Sequence, residues 1–90
     1  MKILKIGAVW CSGCLVMRPR WKKIEAENTG FETQYFEYDE SPDIVKQYKL
    51  EATNLPVFIF LANDGTELTR FNGEVDEKTL IATINTYKNR

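Results

Sequence analysis

Between Val9 and Cys14 the hydrophobic period of this chain changes, and that change limits what the first third can become. Ile3 to Val9 is a β-rich run interrupted only by Lys5, which predicts a largely buried strand. Alternation puts Ile3, Lys5, Gly7 and Val9 on one face, with Leu4, Ile6 and Ala8 on the other. From Cys11 the apolar residues recur at three and four positions. Cys14, Met17, Trp21 and Ile24 make one stripe of a helix that runs to about Asn28. Pro19 falls inside this pattern and predicts a kink, because it has no N–H and crowds the preceding turn. Thr29-Gly30 ends the helix.

Phe31 to Asp39 reads as a second strand. Ser41-Pro42 reads as an N-cap and a first helical proline, opening a short helix through about Tyr48. Leu55 to Leu61 is an apolar strand that begins through Pro56, Asn63-Asp64-Gly65 is a hairpin turn, and Thr66 to Phe71 is the return strand. Asn72-Gly73 breaks that strand. Asp76 then caps a last helix with Leu80, Ile81, Ile84 and Tyr87 on its apolar face. Strands separated by a helix are expected to be parallel with a right-handed crossover. The order predicts an α/β fold, β-α-β, a short helix, then β-β-α, with a four-stranded mixed sheet covered by helices. At 90 residues, without a repeat or linker, the expectation is one domain over residues 1–90.

Charge and residue counts remove several function classes. Lys and Arg total 12 against 13 Asp and Glu, so the basic excess of a general nucleic-acid or anionic-membrane binder is missing. The chain has no histidine, which excludes Ser-His and Cys-His catalysis and any histidine-containing metal site. Lys5 interrupts the first apolar run, leaving no uncharged core of signal-peptide length. Nothing approaches the ~18 apolar residues of a membrane span. A soluble, cytoplasmic protein is expected, with its cysteines reduced at rest.

Trp10-Cys11-Ser12-Gly13-Cys14 lies where strand gives way to helix. Cys11 falls at the helix N-terminus, where free N–H groups and the macrodipole favour a thiolate. Cys14, one turn later on the apolar stripe, is expected to be the more buried. One thiol can attack a substrate disulfide, and the other is near enough to resolve the mixed disulfide. Two structural cysteines, or half of a zinc site, are the plain alternatives. Zinc takes four ligands, and a third cysteine or a histidine is missing. The strand-to-helix setting favours dithiol chemistry. The acidic group Glu37, Asp39, Glu40 and Asp43 reads as a solvated strand end rather than a metal site.

Trp10-Cys11-x-x-Cys14, Pro19 five residues after the second cysteine, Asp39 ending the second strand, Leu55-Pro56, Gly65 and Gly73 together resemble the thioredoxin family over nearly the whole length. The resemblance implies a thioredoxin fold in its minimal, glutaredoxin-sized form, because the β-α unit that precedes this core in thioredoxin is not present. It implies an enzyme that reduces, forms or shuffles disulfides, most simply a reductase. Cys11 would be the attacking nucleophile and Cys14 the resolving thiol. Leu55-Pro56 would be the family's cis-proline. Trp10, Ser12, Gly13, Leu55, Pro56 and Gly73 would form a shallow surface for an extended substrate segment, which a backbone group of Leu55 can hydrogen-bond. No organic cofactor or metal is implied beyond the Cys11–Cys14 pair. The implied partners are protein disulfides and a separate reductase or small thiol, acting on a monomer. A partner-dedicated or glutaredoxin-like reductase is the alternative enzyme, and a redox-sensing binding module the alternative outside enzymes.

The chain departs from the family in three places. Ser12-Gly13 stands where thioredoxin has Gly-Pro, Gly7 where a tryptophan often packs, and Lys5 where thioredoxin has a buried acid beneath the second cysteine. Alternation points Lys5 toward the layer expected to hold Cys14. A buried ammonium either loses its proton or finds a partner, and Glu37 on the neighbouring strand is the expected one; the plain alternative is that Lys5 snorkels to a sheet edge. A charged Lys5 near the sulfurs would favour thiolate and make the disulfide more oxidising.

Overall fold

The computed structural model describes residues Met1–Arg90. Strand β1 (Lys2–Gly7) leads through a tight turn into helix α1 (Ser12–Glu27) and then β2 (Glu32–Glu37). A 3-10 turn at Tyr38–Glu40 leads to helix α2 (Pro42–Gln47), and a second at Ala52–Asn54 leads to β3 (Val57–Leu61). Strand β4 (Glu67–Asn72) and helix α3 (Glu77–Tyr87) complete the chain. The sheet order is β2-β1-β3-β4. β1 runs parallel to β2 and antiparallel to β3, and β3 pairs antiparallel with β4.

The alternation read from the sequence sorts the core into two layers. Ile3 of β1 with Phe58 and Phe60 of β3 face Met17, Trp21 and Ile24 of α1 and Leu80 and Ile84 of α3. Leu4 and Ile6, with Val57, Ile59 and Leu61, face the opposite side, where Leu50 and the α2 residues Ile44 and Val45 cover them. Every residue of β3 is buried. That explains why its sequence is a continuous apolar run rather than an alternating one.

Three boundaries shift for local reasons. β1 stops at Gly7 because the Val9 N–H leaves the ladder and donates to the Glu37 carboxylate at 3.2 Å. β2 stops at Glu37 because the 3-10 turn takes over. β3 begins at Val57 because Pro56 has no N–H to give the sheet. Helix α1 continues through Pro19 to Glu27, so the proline does not end it. The missing N–H falls on an exposed face, where water can serve the Leu15 carbonyl. Ser41 occupies the N-cap position of α2, but its side chain makes no capping bond.

Asp76 does cap α3, accepting the Thr79 N–H at 2.7 Å, and hydrogen bonding from the Thr79 hydroxyl and then from its N–H holds the carboxyl below the usual carboxylate range. A depressed folded pKa stabilises the fold above the unfolded value, and the stabilisation is lost as pH falls through the folded one. Asp76→Ala is therefore expected to lower the melting temperature at neutral pH. The difference from the parent shrinks in acid, as thermal melts across pH 2–7 would show.

Candidate active site

Cys11 is the N-cap of α1, with extended backbone angles and its sulfur accepting the Cys14 N–H at 3.2 Å. Its sulfur is also bonded to that of Cys14, across a Cα–Cα distance of 5.3 Å. A helix-end N–H directed at the Cys11 sulfur is the arrangement that stabilises a thiolate there. The expected contrast in burial is absent: Cys11 is 8% exposed and Cys14 9%. In the disulfide both sulfurs sit against Ala8, with Leu55 and Tyr38 packed beside them.

The Leu55–Pro56 peptide is cis. Pro56 is buried, lies against the Gly13 turn between the two cysteines and shares the lining of one cavity with Cys14. A side chain at Gly13 would begin 3.3 Å from Pro56 Cδ and 3.4 Å from Glu74 Cγ. Glycine at position 13 therefore lets the helix start lie flat on the proline. The Gly73 N–H donates to the Pro56 carbonyl at 2.6 Å, and Gly73 takes a φ of +92°, which suits glycine and turns the chain back toward α1. There Arg20 donates to the Val75 carbonyl at 2.5 Å, and the Val75 N–H meets Met17 Sδ at 3.5 Å. The 73–75 loop is thereby fastened to α1.

The outer rim is apolar and exposed. Val9 is 74% and Trp10 54% exposed, and Leu15 and Val16 continue the surface along the first turn of α1. Ser12 is exposed beside them. Trp10 is held by its indole N–H, which donates to Asp39 at 2.7 Å. Asp39 is thus a fixed acceptor as well as a solvated strand end.

Beneath Cys14 lies a cavity of about 70 Å³, lined by Lys5, Gly7, Trp21, Tyr35, Pro56 and Phe58 among others. Lys5 faces it as expected, but Glu37 is not its partner. Lys5 Nζ bonds Glu25 of α1 at 3.0 Å and lies 5.7 Å from the Trp21 ring centroid. Register explains the correction. Lys5 is level with Tyr35, whereas Glu37 is level with Gly7, a full strand repeat away, and is already engaged by Val9 and Tyr35. A carboxylate 3.0 Å from the ammonium largely cancels the field Lys5 would otherwise send toward the sulfurs.

Tyr35 donates to Glu37 at 2.9 Å. Partial burial, then this bond and the charge of Glu37, push its phenol up to about 12. A spectrophotometric titration of the four tyrosines is expected to show one tyrosinate forming near pH 12 and vanishing in Tyr35→Phe. Because the folded value is raised, its stabilising effect is present below the ordinary phenol pKa and lost as pH rises through the folded value.

Tyr35, Ala8 and Glu74 are site neighbours that motif reading did not select. Register against Lys5 was the available signal for Tyr35. Nothing local marks Glu74, which reaches Gly13 only through the fold. No three Cys, Asp or Glu residues converge in a metal-binding group.

The thioredoxin family model matches residues 1–78. Thioredoxin H2-1 of Oryza sativa subsp. japonica is 30% identical over 86 residues, covering 96% of this chain and 59% of that protein. The chain spans about half the length of the curated relatives it matches. Thioredoxin 1 of Thermosipho africanus superposes with a TM-score of 0.79 at 28% identity, covering 97% of this chain and 93% of that one. A Nicotiana alata thioredoxin shares the fold at a TM-score of 0.85 and 24% identity, covering 96% of this chain and 71% of that one. Sequence, fold and the bonded cysteine pair at the start of α1 agree: the chain belongs to the thioredoxin family.

Proposed function

We propose that this chain is a thiol–disulfide oxidoreductase that reduces protein disulfides, working as a single-domain monomer. The observation that carries this reading is the Cys11–Cys14 disulfide at the start of α1, with Gly13 between the cysteines lying on Pro56. In the reduced protein the Cys11 thiolate attacks one substrate sulfur, the substrate S–S bond breaks, and a mixed disulfide forms. Cys14 then attacks Cys11 Sγ, and the second substrate thiolate leaves. The two electrons come from the dithiol, and a separate reductase or small thiol restores them.

Trp10, Ser12, Gly13, Leu55, Pro56 and Gly73 supply the docking surface, with a backbone group of Leu55 pairing an extended segment. A cytoplasmic setting suits this reading, because an attacking dithiol must be kept reduced between turnovers. No helix is long and apolar enough to cross a membrane.

Insulin reduction driven by dithiothreitol tests the reading. Many insulin molecules reduced per protein molecule are expected. A redox-sensing module would exchange its one disulfide and then stop, and that result would overturn the proposal.

A further inference from the structure

Cys14 must lose its proton when it attacks the mixed disulfide, and the groups around its sulfur are few. An ideal side chain at Gly7 would begin 3.1 Å from Cys14 Sγ and 3.1 Å from Tyr35 Oη. With no side chain at position 7, thiol and phenol approach across a slot over the Gly7 Cα, no more than about 6 Å apart, and both line the cavity of about 70 Å³, which has room for a water that bridges them. Tyr35 Oη donates onward to Glu37 Oε1, and Glu37 Oε2 is fixed by the Val9 N–H.

The charged groups lining the cavity are Lys5 of β1 and Arg18 of α1, while β3 and the segment before it present only Phe58 and Pro56. Lys5 is bound to Glu25, and Glu40 is the remaining charge that Tyr35 feels from the strand end. Two carboxylates thus reach the cavity through a hydrogen bond, Glu25 through Lys5 and Glu37 through Tyr35, and it is Tyr35 that meets the Cys14 sulfur across Gly7.

We infer that Tyr35 and Glu37 carry the proton of Cys14 across the Gly7 slot during resolution of the mixed disulfide. The inference rests on the dithiol function proposed above. As the Cys14 sulfur bonds to Cys11 and the Cys11–substrate bond breaks, the thiol proton passes through one water to Tyr35 Oη. Tyr35 gives its own proton to Glu37, and the substrate thiolate leaves with the bonding pair. Reduction of the protein's disulfide runs the same path backward. An ordinary carboxylate tied to a phenol can do this without a charge buried under the sulfur.

Stopped-flow reaction of the reduced protein with Ellman's reagent separates the two steps, since Cys11 releases the first thiolate and Cys14 the second. The ratio of second to first rate is expected to fall at least about tenfold in Tyr35→Phe and in Glu37→Gln. Glu37→Gln keeps the side-chain shape and one of the two acceptor oxygens while removing the carboxylate that takes the proton. Gly7→Ala, which fills the slot, is expected to lower the ratio as well. Small buffer bases should restore the second step in Tyr35→Phe, a rescue that a packing defect would not allow. An unchanged ratio in Tyr35→Phe and Glu37→Gln, or a loss that buffer does not repair, overturns the inference. A parent protein that releases no second thiolate instead overturns the dithiol reading, and the proton path with it.

Discussion

Cys11→Ser is expected to abolish turnover, while Cys14→Ser leaves a thiol that captures substrate as a stable mixed disulfide. The asymmetry comes from the start of α1. The Cys14 N–H reaches the sulfur at position 11, and serine at position 14 keeps that backbone donor. Cys11→Ser removes the only sulfur it stabilises, so a loss of at least ~1000-fold in insulin reduction is expected, on the scale of losing a nucleophile. Cys14→Ser loses turnover too, but mass spectrometry should find one substrate thiol attached at Cys11. Both cysteines are similarly buried in the disulfide, and the difference the structure does show is the helix-end N–H directed at the Cys11 sulfur. Faster alkylation of Cys14 than of Cys11 in the reduced protein would reverse the assignment.

Local pattern carried the fold and the centre of the site a long way. The change of period at Cys11 located both the helix and its cap, and alternation in β1 sorted Ile3 from Leu4 between two layers that the structure separates. Asn63-Asp64-Gly65 placed a turn whose glycine takes φ +91°. What pattern missed depends on distances between elements. Lys5 was assigned the right face but the wrong partner. Strand alternation defines a side of the sheet, whereas choosing between Glu25 and Glu37 requires the offset between β1 and β2 and the position of α1 above them. The burial of Cys11 was missed for a similar reason: the helix end alone leaves it open, and the bond to Cys14 with Leu55 beside it closes it. Glu74 reaches Gly13 only because the 73–75 loop is fastened to α1, and that contact leaves no trace in local sequence.

The largest effect on stability is expected at Trp21, which joins the core to the cavity beneath the cysteines. Trp21 is 2% exposed, meets Phe58 edge-on at 5.3 Å between ring centroids, and packs among Met17, Ile24 and Ile3. Trp21→Ala removes that volume from a tightly packed layer, and such truncations cost ~3–5 kcal/mol. A domain of this size has about 5–15 kcal/mol in total. At 4–8 °C per kcal/mol, the melting temperature is expected to drop by roughly 12–40 °C. The indole adds a second, opposing contribution, because its buried N–H has no partner within the protein. An unpaired buried donor costs about 1–3 kcal/mol, which phenylalanine would not carry. Trp21→Phe keeps an aromatic ring against Phe58 and sheds that penalty, so its loss is expected to be less than half that of Trp21→Ala. Urea unfolding of the three proteins with the disulfide intact makes the comparison. Equal losses in the phenylalanine and alanine variants would mean that the indole N–H stabilises the fold through a bound water, and that lost volume is not the main term.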